Sequence, residues 1–177
     1  MKPDFEELVE RHSSEIFAYL WRLLRDTSDA EDCLQETFLR AFRSYARVRA
    51  GTNYRAWLYK IATNTAHSHW KRRKRSETYT IDLDPELRAD GSSLSDRIEC
   101  KALLGAVARA VDGLPEQQRA ALIMRKYQEL SYTEIADALD STEAAARANV
   151  YQALKKLRME FGVNESLHTA NERIGNG

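Results

Sequence analysis

The sequence predicts an all-α chain: two small helical domains joined by an extended acidic linker. Three observations predict it. Apolar residues recur at helical spacing through most of both halves. Two S-x-x-E capping boxes, Ser28 with Glu31 and Ser131 with Glu134, mark helix starts. The 177 residues include only 7 Gly and 3 Pro, few for a turn-rich all-β fold.

Composition excludes several classes. The hydrophobic fraction of 43% supports a core. No apolar run exceeds six residues, Ile16 to Trp21, whereas a membrane-crossing helix needs about 20. The stretch MKPDFEELVERH is charged from its second residue and has no apolar h-region, so a cytoplasmic chain is expected. Two cysteines, Cys33 and Cys100, make neither a disulfide framework nor a zinc quartet and fit a reducing compartment. There is no nucleophile elbow, phosphate loop or paired-carboxylate motif, so no enzymatic activity is expected. His67 and His69 are two apart with no Cys or carboxylate at ligand spacing nearby, which argues against a metal site.

The 27 basic and 27 acidic residues cancel overall but are sorted along the chain. Residues 1–75 hold 15 basic against 10 acidic, residues 76–97 hold 2 against 6, and residues 98–177 hold 10 against 11. A basic block is thus followed by an acidic stretch with Pro85 and Gly91, read as the linker, and then by a near-neutral block, 98–161. The polar tail, 162–177, is expected to be loose. Sign asymmetry of this kind suggests a polyanionic partner.

The first helix carries Phe5, Leu8, Val9, His12, Ile16, Tyr19, Leu20, Leu23 and Leu24 on one face. The second is expected to start at the Ser28 box, with Ala30, Cys33, Leu34, Phe38, Ala41, Phe42 and Tyr45 inside. Its early turns are acidic, with Asp29, Glu31, Asp32 and Glu36. These acids suit the helix dipole and a solvated face, or else a docking surface for a basic partner helix. A third helix follows the polar loop 46–53. Trp57, Leu58, Ile61, Ala62, Thr65, Ala66 and His69 face inward, and Lys60, Asn64, His67 and Lys71 outward. It ends in Lys71-Arg72-Arg73-Lys74-Arg75. One or two cations would satisfy the helix dipole; five in a row suit the phosphates of a nucleic-acid strand.

In the second block, Leu103, Leu104, Val107, Val111 and Leu114 share one helical face, and Pro115 opens a helix reaching about Tyr127. The Ser131 box opens a short helix with Ile135, Ala136 and Leu139 inside. Asp140-Ser141-Thr142 forms a turn and N-cap before a longer helix with Ala146, Val150, Ala153, Leu154 and Leu157 inside. Short helix, three-residue turn and longer helix is a helix-turn-helix pattern, and also that of an ordinary three-helix packing unit.

The stretches DAEDCLQETFLRAF (29–42) and AWLYKIATN (56–64) with the basic run together resemble region 2 of the bacterial extracytoplasmic-function (ECF) RNA polymerase sigma factors. LPEQQRAALIMRKYQELSYTEIADAL (114–139) resembles region 4 of the same family. The resemblance covers about residues 4–160, in the family's order. It implies a promoter-specificity factor that binds core RNA polymerase and promoter DNA. Asp29, Asp32, Gln35 and Glu36 would grip the clamp helices of the largest subunit, and region 4 would meet the flap of the second-largest. Val48 in the 46–53 loop, Asn64, His67 and Lys71, Arg72, Arg73, Lys74 and Arg75 would hold melted −10 DNA. Arg125, Thr142, Glu143, Ala144, Arg147, Ala148, Tyr151, Gln152 and Lys155 would meet the −35 duplex. An anti-sigma partner is also implied. The sequence departs from the family at Ala144-Ala145-Ala146, where Gly-Thr-Val is usual, at Asn149 and Gln152, often arginine, and at Ser68, often aspartate. Fewer cations on the recognition helix imply a weaker phosphate grip. The alternatives are a free-standing helix-turn-helix regulator, against which the acidic clamp-like helix argues, and a sigma-like adaptor that has lost promoter reading.

Overall fold

A computed structural model describes the backbone of residues 2–76 and 94–162, and side chains of 2–73 and 102–162. The expected linker between 77 and 93, the tail beyond Gly162, and the side chains of Lys74, Arg75 and Cys100 lie outside the described residues. The described residues form seven helices and no strand: α1 (Phe5–Leu24), α2 (Thr27–Tyr45), α3 (Tyr54–Ser76), α4 (Leu94–Asp112), α5 (Glu116–Lys126), α6 (Tyr132–Ala138) and α7 (Glu143–Phe161). The helical expectation holds throughout, and α4 begins inside the stretch read as linker.

The first block is a three-helix unit in which α1 packs on α2 and both pack on α3. Leu8, Ile16, Tyr19, Leu20 and Leu23 of α1 are buried, as is His12. Arg25 ends α1 in the left-handed region, φ 60°, its N–H donating to the Trp21 carbonyl. Two expectations need correction. The N-cap of α2 is Asp26, whose carboxylate accepts from Asp29 N at 2.8 Å, so the helix starts one residue before Ser28. Asp26 is as good a capping residue as Ser28 and stands nearer the αL turn that aims the chain. Phe42 is 64% exposed: α2 there runs past the end of the core, and the ring meets only the edge of Phe5, 5.3 Å between centroids.

The second block places α5 and α6 against α7, with Leu130, Ile135, Ala146, Val150 and Ala153 buried between them. The Ser131–Glu134 capping box is present in both directions, and Thr142 caps α7 by accepting from Ala145 N. Gly162 closes α7 at φ 64°, a C-cap that glycine adopts without strain. Leu103 and Leu104 of α4, expected inside, are 57% and 44% exposed, because α4 touches the unit through its later turns, where Ala110 and Leu114 are buried.

The two blocks do not stand apart. One apolar core runs through both, and α3 is enclosed between α1 and α2 on one side and α6 on the other. Tyr59, which falls on neither predicted face, is therefore fully buried. Leu23, Leu24, Ala66 and Ala120 meet around a gap of about 10 Å³, room for about one water. At this point the seam is close-packed.

The cap at Thr142 is the sole side-chain satisfaction of the first α7 amides. Thr142→Ala should lower stability by about 1 kcal/mol, read as a lower urea midpoint at unchanged slope. An unchanged midpoint would show the cap to be idle.

Candidate nucleic-acid interface

Each of the three predicted residue sets occupies a definite surface. On α2, Asp32 and Gln35 are exposed and Glu36 is partly so. Glu36 accepts from Arg40 Nε at 2.6 Å, one turn on, and this bond and charge hold its carboxyl below the usual range. Asp29 points elsewhere. Its Oδ2 accepts from Arg73 Nη1 at 2.7 Å, and His69 Nε2 lies 3.5 Å from its Oδ1. One predicted polymerase residue is thus bound to one predicted DNA residue, on adjacent helices. Between them Asp32, Glu36, Arg40, Ser68, His69 and Arg72 line a cleft of about 270 Å³. Cys33 sits at its base, its thiol pushed up to about 11 by burial and the neighbouring Asp29 and Asp32 charges. It is no reactive thiolate.

On α3, Asn64 is exposed, and its carbonyl accepts from the Ser68 hydroxyl at 2.9 Å. Its amide remains on the surface, able to donate and accept. Lys71 and Arg72 are exposed. Val48 is half-buried in a loop held by Arg47 N and Val48 N donating to the Ser44 and Tyr45 carbonyls. Tyr45 sits 6.2 Å from Trp57, so Trp57 holds the loop base.

The outer face of α3 is not wholly free. Lys60 Nζ donates to Asp140 Oδ1 at 2.6 Å, and His67 Nδ1 meets the Glu116 carboxylate. Asp140 sits at φ 49° in the turn before α7, and Glu116 opens α5. So His67, expected at −10 DNA, and Lys60 beside it on the outer face are both tied to carboxylates of the second block.

The −35 set falls largely on one exposed face of α7. Glu143, Ala144, Arg147, Ala148, Tyr151, Gln152 and Lys155 are exposed, opposite buried Ala146, Val150 and Ala153. Arg147 Nη2 donates to Glu143 Oε1 at 2.6 Å, and its guanidinium lies 4.3 Å from the Tyr132 ring. Arg125 lies 4.7 Å from the same ring, and its Nη1 donates to the Leu130 carbonyl. Arg125 therefore has a structural duty that spacing did not suggest, bracing the α5–α6 turn. Tyr132, between two cations, was not singled out by sequence.

Three further residues were missed, and all lie at the seam. Arg55 donates to Glu15 Oε2 at 2.7 Å and to the Gln128 carbonyl at 2.7 Å, and stands 4.0 Å from Glu134. Glu15 also takes His12 Nδ1 at 2.5 Å and the Tyr59 hydroxyl at 3.2 Å. Arg119 is 1% exposed and lies 3.5 Å from the Trp70 ring. Its signal was present: an arginine abutting the apolar run Ala120 to Met124.

The family model for Sigma-70 region 2 matches residues 8–76, and that for Sigma-70, region 4 matches residues 104–157. The RNA polymerase sigma-H factor of Pseudomonas aeruginosa is 30% identical over 161 residues, covering 86% of this chain and 83% of that one. The ECF RNA polymerase sigma factor SigE of Mycolicibacterium smegmatis is 32% identical over 169 residues, 95% of this chain and 65% of that one. The chain thus spans just under two thirds of SigE. Among solved structures, sigma factor RpoE of Bartonella quintana, in complex with the anti-sigma factor NepR, superposes with a TM-score of 0.73. It is 23% identical and covers 92% of this chain and 99% of that one, a likeness of fold.

The Glu15 cluster sets an acid limit on the seam. Burial pushes its carboxyl up, but hydrogen bonds from His12 and Arg55 and the Arg55 charge outweigh it, holding it at about 2 rather than 4.5. A depressed folded pKa stabilises above the unfolded value and is lost as pH falls through the folded one. Stability from this group should be complete above pH 4.5 and decline toward pH 2. Glu15→Gln should lower stability at neutral pH and flatten that acid limb. A titration of unfolding free energy with the same acid limb in both proteins would remove Glu15 from the account.

Proposed function

The chain belongs to the ECF RNA polymerase sigma factors, and from that membership we propose how its residues divide the family's work. Sigma factors bind core RNA polymerase and direct initiation at specific promoters, and they are non-catalytic partners in it. Residues 1–75 are assigned polymerase binding and −10 recognition, 98–161 −35 recognition, with 76–97 the linker and 162–177 a tail. Asp29, Asp32, Gln35 and Glu36 meet the clamp helices. Asn64 reads a base flipped from the −10 stack, with Val48 and the 46–53 loop walling the pocket and His67, Lys71 to Arg75 holding phosphates. Arg147, Tyr151 and their neighbours read the −35 groove. The single observation that carries this reading is the pair of region 2 and region 4 matches in that order on one chain. No helix among the described residues is long and apolar enough to cross a membrane, and we place the protein in the cytoplasm. By analogy with the solved NepR complex of RpoE, an anti-sigma protein is its regulator.

The closed seam has a consequence for this reading. A compact chain of this length is on the order of 40 Å across. Promoter elements some 25 base steps apart span roughly 80 Å at about 3.4 Å per step. Both elements cannot be held by the closed form. Promoter binding therefore requires the blocks to part, which releases Lys60 and His67 from Asp140 and Glu116 for phosphate.

Co-elution with purified core RNA polymerase, followed by run-off transcription on a genomic promoter pool, tests the whole reading. Binding with initiation from shared −10 and −35 sequences is expected. Retention on plain duplex DNA without polymerase binding would favour a free-standing regulator. Within region 2, Asn64→Ala should keep polymerase binding and reduce open-complex formation by about tenfold, within the 1–3 kcal/mol range of a base-edge contact; unchanged melting would remove the pocket assignment. Asp32→Arg with Glu36→Arg should abolish co-elution while leaving the circular dichroism and melting temperature of the free chain in place. Wild-type polymerase affinity in that double variant would overturn the docking surface.

A further inference from the structure

At the junction of the two blocks lies a cleft of about 290 Å³. Among its lining residues only Arg73 enters the roles assigned above. Its charged lining is three guanidiniums, Arg25, Arg73 and Arg119, and one carboxylate, Asp112, with Trp70 beside them; Arg73 also donates to Asp29 outside the cleft. The first two arginines come from α1's end and α3, the third from α5. Arg119 is the unusual member. At 1% exposure it is the largest fully buried side chain. Its Nη1 stands 3.8 Å from Asp112 Oδ1, beyond hydrogen-bond distance, and its Nε and Nη2 have no hydrogen-bond partner. A buried cation with unmet donors is costly, and the Trp70 face offsets only part of that. Asp112 is a poor remedy. It is half turned to solvent, and burial of the carboxyl pushes its proton affinity up despite Arg25 and Arg119.

We propose that this cleft is a binding site for a small phosphate-class anion of about diphosphate size, held between Arg119 of the second block and Arg25 and Arg73 of the first. The planar guanidinium fork matches phosphate oxygens in bidentate pairs. The volume, at the small end of ligand pockets, takes a diphosphate with a few waters. Because the arginines come from both blocks, the anion bridges them and favours the closed form. Phosphate of this kind has two sources, a free anion and the backbone of a nucleic acid.

The test is calorimetric titration of the full chain with inorganic pyrophosphate, with the melting temperature followed in parallel. One-to-one binding and a raised melting temperature are expected. Arg25→Asn, which suits the left-handed backbone at that position, should weaken binding at least about tenfold. Asp112→Asn should strengthen it, since it removes the competing carboxylate; a merely structural role for the cluster gives no such gain. Arg119→Gln should abolish binding, but it disturbs the seam, so the other two variants decide. A short single-stranded oligonucleotide whose affinity falls in Arg25→Asn and rises in Asp112→Asn identifies backbone phosphate as the occupant, and one with equal affinity in all three proteins identifies the free anion. No binding up to about 10 mM, or equal affinity in wild type, Arg25→Asn and Asp112→Asn, overturns the site.

Discussion

The seam between the two blocks turns on Arg55. Its guanidinium spends its donors on a carboxylate of α1 and on a backbone carbonyl at the end of α5, and stands within ion-pair reach of Glu134 at the start of α6. Neutralising it would leave Glu15 half-buried beside the Tyr59 hydroxyl, with only His12 to answer its charge. It would also free the Gln128 carbonyl, which belongs to the turn that sends the chain into the helix-turn-helix unit. Removing one partner of such a cluster costs more than the cluster contributes, since it strands the rest. The geometry of the second block relative to α3 is therefore fixed less by apolar contact, which is non-directional, than by where one planar fork can reach.

Three further ion pairs of α3, two across the seam and one to α2, share a pattern. Lys60 meets Asp140, His67 meets Glu116, and Arg73 meets Asp29. In each, a side chain of α3 is held by an internal carboxylate, and His67 and Arg73 are among those assigned to nucleic acid. A protein that binds a polyanion only at certain times gains from such arrangements, because its cations are screened from wrong anions meanwhile. Asp140 and Glu116 supply the negative charge that Lys60 and His67 meet in the closed form. The same logic extends to Arg147 on α7, whose guanidinium rests on Glu143.

Much of this was legible in the sequence, for local reasons. Periodicity located the helices, the Ser131–Glu134 box and Thr142 cap were read where they stand, and the recognition face of α7 follows from spacing alone. What was missed is what spacing cannot carry. A one-faced pattern assumes a helix with a wet side. α3 has none over much of its length, so Tyr59 escaped. Asp26 and Ser28 are equivalent cap residues two positions apart, and only the turn at Arg25 chooses between them. Lys60 and Asp140 are 80 positions apart, and nothing local to either announces the other. The site residues themselves were placed by resemblance, and their surfaces, though not their roles, are what the fold supplies.

The polar tie between α3 and the second block has one more implication, which concerns cooperativity. If the closed form dominates, each ligand of the open form binds more weakly by the fraction of molecules already open. Two ligands that both require the open form then help each other without touching, since the first to bind has already parted the blocks for the second. DNA on α3 and DNA on α7 would be coupled in this way through a handful of hydrogen bonds at Arg55 and Lys60. Neither would need to alter the shape of the other's surface.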